Sequence, residues 1–188
     1  MVRKITILSV LEPLLKKPKE AIHLAELSKA VGEPHPTLRQ RLNFLEQKGV
    51  LRKGIKGRLT IYSLNIGNRN IIDYLVIAEK NRILERCDQE PMLKELVGFL
   101  RTLLNENNKA LIFGSAAESL KNANDVDILI TGKFDGQNLE KFAERFNLKT
   151  HLINVKALSN VSEALRMEIV KKHLIINGSE EITRWLLL

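Results

Sequence analysis

Two short apolar runs, Leu111-Ile112-Phe113 and Ile128-Leu129-Ile130, bound the most constrained stretch of this chain. Apolar runs this short, punctuated by glycine and polar residues, read as strands. The first ends in Gly114-Ser115, and Asp125-Val126-Asp127 leads into the second. Alternate side chains of a strand share a face, so Asp125 and Asp127 are expected to project together while Val126 points into the opposite layer. Two carboxylates on one face repel unless a cation neutralises them, and Mg²⁺ accepts such oxygens beside substrate phosphates. Gly114 lets the backbone approach a phosphate closely, and Ser115 offers it a hydroxyl and an N–H. The stretch is therefore a candidate seat for a metal-bound nucleoside triphosphate.

Gly-Ser closing one strand, a loop, and Asp-hydrophobic-Asp on the next resembles the nucleotidyltransferase superfamily of the polymerase-beta type, and its minimal nucleotidyltransferases in particular. The resemblance spans about residues 90–188. It implies that Gly114 and Ser115 bind nucleotide and that Asp125 and Asp127 bind Mg²⁺ and act in catalysis. It also implies a third carboxylate on the following strand, which falls on Lys149-Thr150-His151-Leu152-Ile153-Asn154-Val155. His151 is the expected counterpart and Asn154 the other candidate; neither is a carboxylate. A neutral histidine can take a proton in place of the missing acid. Glu118-Ser119 stands where the family often has Arg-Gly, and an acid there is unhelpful beside a triphosphate, with Lys121 the nearest compensating cation.

The charge of the chain is unevenly placed. The formal net charge is +8, and the whole excess lies in residues 1–65. Such asymmetry points to two domains, the first of which meets a polyanion. A single cysteine, Cys87, excludes an intrachain disulfide and a cysteine-based zinc site. No apolar run is long enough to span a bilayer, and the first residues lack signal-peptide character, so the expected setting is cytoplasmic.

Within the basic third, Ile5, Leu8, Leu11, Leu14 and Leu15 recur at helical spacing. A second helix is expected from Ile22 to Val31, ended by Gly32, and a third from Pro36 to Lys48. Val50-Leu51 starts a strand, Lys53-Gly54-Ile55-Lys56-Gly57 reads as a hairpin tip, and Leu59, Ile61 and Leu64 return. Helix–helix–turn–helix followed by a basic hairpin resembles the winged helix-turn-helix family of DNA-binding domains. Thr37, Arg39, Gln40, Arg41 and Asn43 lie between the buried leucines and suit base edges or phosphates. Arg52, Lys53, Lys56 and Arg58 suit a wing laid along a phosphate backbone.

The expected architecture is α+β: an N-terminal winged helix-turn-helix (1–66), a linker helix (67–89), and a C-terminal nucleotidyltransferase-like mixed sheet with flanking helices (90–188). The linker helix carries an apolar stripe through Ile71, Ile72, Leu75, Val76, Ala78, Ile83 and Leu84, expected to pair two chains or to pack within one. Ser159 is the expected cap of a later helix, and His173 an ordinary helix-end histidine. The leading functional expectation is a DNA-binding transcriptional regulator, a homodimer on double-stranded DNA, whose second domain binds NTP and Mg²⁺. An enzyme-first alternative transfers NMP to a small molecule, RNA end or protein; by resemblance it includes an antitoxin adenylylating a HEPN-type toxin. A third possibility is a regulator whose second domain is inactive and only dimerises.

Overall fold

The computed structural model describes residues 8–188, and the start of the expected first helix, Ile5 included, lies outside them. A 3₁₀ turn at Leu8–Leu11 runs into helix α1 (Glu12–Leu15). Ile22, expected to open a helix, instead forms with His23 the short strand β1, because β-branched Ile22 pairs with Tyr62. His23 then caps helix α2 (Leu24–Val31), its Nδ1 accepting the Glu26 N–H at 3.2 Å. Gly32 ends α2 at φ +76°, a conformation that favours glycine. Helix α3 (His35–Gln47) and the antiparallel strands β2 (Leu51–Lys56) and β3 (Leu59–Leu64) follow, in a sheet of order β1-β3-β2. The β2–β3 ladder continues to Lys56↔Leu59. The turn is therefore only Gly57-Arg58, and Lys53, Ile55 and Lys56 are strand residues rather than the expected tip. Leu14, Leu27, Leu38, Leu42, Leu45 and Tyr62 fill the core beneath. Each such leucine removed from water contributes roughly 1.5–3 kcal/mol.

Helix α4 (Ile71–Gln89) runs through the division of the chain into two compact units, which falls between Ala78 and Glu79. The first unit also takes in the last two residues, Leu187 and Leu188. The apolar stripe of α4 is used within the chain. Ile71, Ile72, Leu75 and Ala78 join the first core and Ile83 the second, while Leu84 stays exposed.

In the second unit, α5 (Pro91–Leu103) precedes strands β4 (Ala110–Phe113) and β5 (Val126–Thr131), then α6 (Gln137–Arg145) and strand β6 (Thr150–Val155). Helix α7 (Glu163–Lys171), strand β7 (His173–Asn177) and α8 (Ser179–Leu186) complete it. The sheet order is β6-β5-β4-β7; β5 and β6 are parallel, the other pairs antiparallel. Both faces are covered: Leu93, Leu96 and Leu139 pack with Ile112 and Ile128, while Ile169, Ile182 and Trp185 pack with Leu111 and Leu129. The whole is of the expected α+β class. The cap of α7 is Ser162, whose hydroxyl accepts the Leu165 N–H, and not Ser159, which lies in the 3₁₀ turn Leu158–Asn160.

The strand that begins at His173 carries a buried ionic cluster. His173 Nε2 lies 3.2 Å from Glu79 Oε1, its Nδ1 2.8 Å from the Ile169 carbonyl, and Arg82 lies 2.8 Å from Glu79. Arg82 also donates to the His173 carbonyl. Burial alone would raise the Glu79 pKa, but Arg82 and His173 outweigh it and hold the carboxyl below its ordinary value. Replacing Glu79 with glutamine leaves the buried Arg82 cation uncompensated, and thermal or denaturant melting of the full chain should show a loss of about 3–5 kcal/mol. In the wild type the stabilisation from this charge is complete above the ordinary carboxylate pKa and is lost as pH falls through the depressed folded value. Glu79→Gln should lack that acid dependence.

Candidate nucleic-acid interface and nucleotide site

Helix α3 divides its residues cleanly. Leu38, Leu42 and Leu45 are fully buried, while Thr37, Arg39, Gln40 and Asn43 are exposed. Arg41 differs: its guanidinium lies 2.9 Å from Glu33, a buried carboxylate in the turn before the helix. Of the five polar positions expected to face DNA, Arg41 is thus the one bound into the fold. Ser28 supports the same turn by donating to the Glu33 carbonyl at 2.5 Å.

The wing shows a similar division. Lys53, Lys56 and Arg58 are exposed. Arg52 is also exposed, yet its Nε donates to Asn65 Oδ1 at 2.7 Å, and Asn65 in turn donates to the Gly49 carbonyl. Arg52 therefore helps fasten the wing to its base. His35 and Arg39 of α3 and Arg58 and Thr60 of the wing border one open cleft, with Leu24 and Leu59 among its apolar walls. His35, the first residue of α3, also lines this cleft. It sits one helical turn before Arg39, the spacing that places two side chains on one face. Nearby Glu26 is held by Lys17 at 3.2 Å.

In the second unit, strand register assembles the other site. Asp127 on β5 pairs with Phe113 on β4 and with His151 on β6. Cross-strand partners share a face. His151 Nδ1 lies 3.2 Å from Asp127 Oδ1. A carboxylate only accepts, so Nδ1 donates in this contact, from a ring whose side chain is 66% exposed. Of the two candidates for the third position, His151 is thus the one beside Asp127. Asn154 is engaged elsewhere, donating to the Gly132 carbonyl at 3.2 Å.

Gly114 follows β4 at φ +71°, and a Cβ there would stand 2.8 Å from Asp127 Oδ2. Glycine is required twice over, by backbone conformation and by the approach of the carboxylate. Its N–H donates to the Lys172 carbonyl at 3.1 Å, so that group is already used. Ser115 is exposed on the 3₁₀ turn Gly114–Ala117. Asp125 is exposed in a bend just ahead of β5, not on the strand as expected.

The loop between these positions is tied down. Leu120 N–H donates to Glu90 at 2.9 Å, and Glu118 pairs with Lys172 at 2.8 Å. Lys172, rather than Lys121, is the compensating cation; it arrives from the far end of α7, which loop sequence alone does not reveal. Among the described residues, no three of His, Cys, Asp and Glu are gathered closely enough to hold a metal by themselves.

No protein-family model and no curated protein matches the chain. Among solved structures, one match is TrmBL2, described as an archaeal chromatin protein with a novel mode of DNA binding, at 19% identity. The alignment covers 82% of this chain and 67% of that one, with a TM-score of 0.29. No helix among the described residues is long and apolar enough to cross a membrane.

Replacing Gly114 with alanine should cost about 1–2 kcal/mol through the left-handed backbone alone. Because the new methyl displaces Asp127, the His151 ring signals should also shift in NMR spectra of a still-folded protein. Unchanged His151 resonances would break the link between Gly114 and the Asp127–His151 pair.

Proposed function

We propose that this chain is a DNA-binding transcriptional regulator whose second unit binds a nucleoside triphosphate with Mg²⁺. The observation that carries the reading is the exposed set of Arg39, Gln40 and Asn43 on α3 with Lys53, Lys56 and Arg58 on the wing. These residues lie in the part of the chain that holds the entire charge excess of +8. Arginine, glutamine and asparagine make paired hydrogen bonds to base edges, while the wing cations neutralise phosphates. Arg41 and Arg52 serve by stiffening the α3 turn and the wing base.

The second unit would receive the triphosphate at the mouth of β4 and β5. The Ser115 hydroxyl would meet a phosphate oxygen, and Asp125 and Asp127 would hold the cation. When bound, Mg²⁺ would neutralise phosphate charge and polarise the phosphorus centre. The Asp127–His151 pair favours a second, enzymatic reading, because the exposed His151 ring would, in its neutral form, take the proton of an attacking hydroxyl. In that reading an acceptor hydroxyl, such as one of a HEPN-type toxin partner, bonds to the α-phosphorus of the NTP, the α–β anhydride breaks, and pyrophosphate leaves. Nucleotide binding is common to both readings; transfer belongs to the second alone.

Two measurements test the proposal. Alanine at Lys53, Lys56 and Arg58 together should weaken binding to every duplex and reduce the slope of log K against log salt by about 3, roughly one per phosphate contact. An unchanged slope removes the wing from the interface. Saturating NTP·Mg²⁺ should raise the melting temperature of the wild type, by about 2.7 kcal/mol of linkage at a hundredfold excess over Kd. That rise should vanish in Asp125→Asn/Asp127→Asn; a shift that persists there would refute the acidic seat.

A further inference from the structure

The wing holds two large apolar side chains in water: Ile55 is 80% exposed and Leu59 53%. A β-branched residue this exposed beside a hairpin turn contributes little to the core beneath it. Strand register shows how the two are arranged. Ile55 pairs with Thr60 and Lys53 with Tyr62 on one face of the ribbon, while Lys56 pairs with Leu59 on the other. Each face of the wing therefore carries one exposed apolar residue and one lysine, with Arg58 at the turn between them. A flat partner or a second copy would cover one face and leave the other wet. A slot with two anionic walls engages both at once.

We propose that the wing tip enters the major groove of duplex DNA and that Ile55 and Leu59 pack against thymine C5-methyl groups, a contact resting on the DNA-binding reading above. Width decides between the grooves. The major groove, about 12 Å wide, admits a two-stranded ribbon, whereas the minor groove is about 6 Å wide. Methyl groups are the apolar feature that the major-groove floor offers. Lys53 and Lys56 face the phosphates of the two walls, and the apolar contacts add a component of binding that salt does not screen.

The test uses the full chain and a duplex that the wild type selects from a random pool. Replacing each thymine by uracil in turn removes one methyl at a time without altering pairing or charge. Wild type should lose about fourfold in affinity at one or more positions, the value of a buried methyl-sized group. Ile55→Ser/Leu59→Ser, which folds because both side chains lie outside the core, should bind more weakly at every salt concentration with the same salt slope, and should ignore uracil at those positions. Equal uracil penalties in both proteins, or none in the wild type, overturn the inference while the DNA-binding reading stands. A variant that differs only in oligomeric state without DNA also overturns it, by assigning the tip to protein contact. If wild type selects no duplex at all, both readings fall together.

Discussion

Strand β5 is hydrogen-bonded along both edges, and the surroundings of Asp127 hang from that fact. Antiparallel pairing with β4 sets Asp127 beside Phe113, so the next residue, Gly114, meets the carboxylate. Parallel pairing with β6 sets His151 on the other flank. One row across three strands thus fixes a carboxylate between a bare backbone and an imidazole. Shifting any strand by one position would send Asp127 or His151 to the opposite face and dissolve the arrangement. The apolar residues on either side of the sheet enforce the register, since Leu129 and Ile128 must remain in separate cores.

The first unit solves a different problem, which is to present cations to water without losing shape. It does so by spending some charged side chains on rigidity. Arg41 locks onto buried Glu33, and Arg52 leans on Asn65 at the hairpin base. The remaining cations project from a framework that is already stiff. A preorganised surface loses less conformational freedom when a partner arrives, so more of its interaction energy appears as affinity.

Much of this was legible in the sequence because it depends on local spacing. The short apolar runs located β4 and β5, and the leucines at helical intervals gave α3 with Thr37, Arg39, Gln40 and Asn43 outward. His151 is singled out in the sequence only by the resemblance; the parallel register of β5 and β6 is what sets it beside Asp127. What escaped depends on contacts distant in the chain. His173 follows two lysines and reads as a helix end, yet its partner is Glu79. Lys172 reaches Glu118 from another element. Arg41 reads as one more exposed cation until Glu33 folds back across the turn. The β1 strand was missed because two residues leave no periodicity, and only pairing with Tyr62 defines it.

The Glu79–His173 contact joins positions 94 residues apart. Closing so long a loop carries an entropic penalty that must be met before the contact returns anything. Without β7 in place, the carboxylate on α4 keeps only Arg82 as a partner. Strands β4 to β6 can pair earlier, but the edge that β7 will occupy stays open, with Ala110 to Phe113 unpaired along it. The sheet of the second unit is thus complete only when residues 173–177, far along the chain from α4, have closed the open edge of β4.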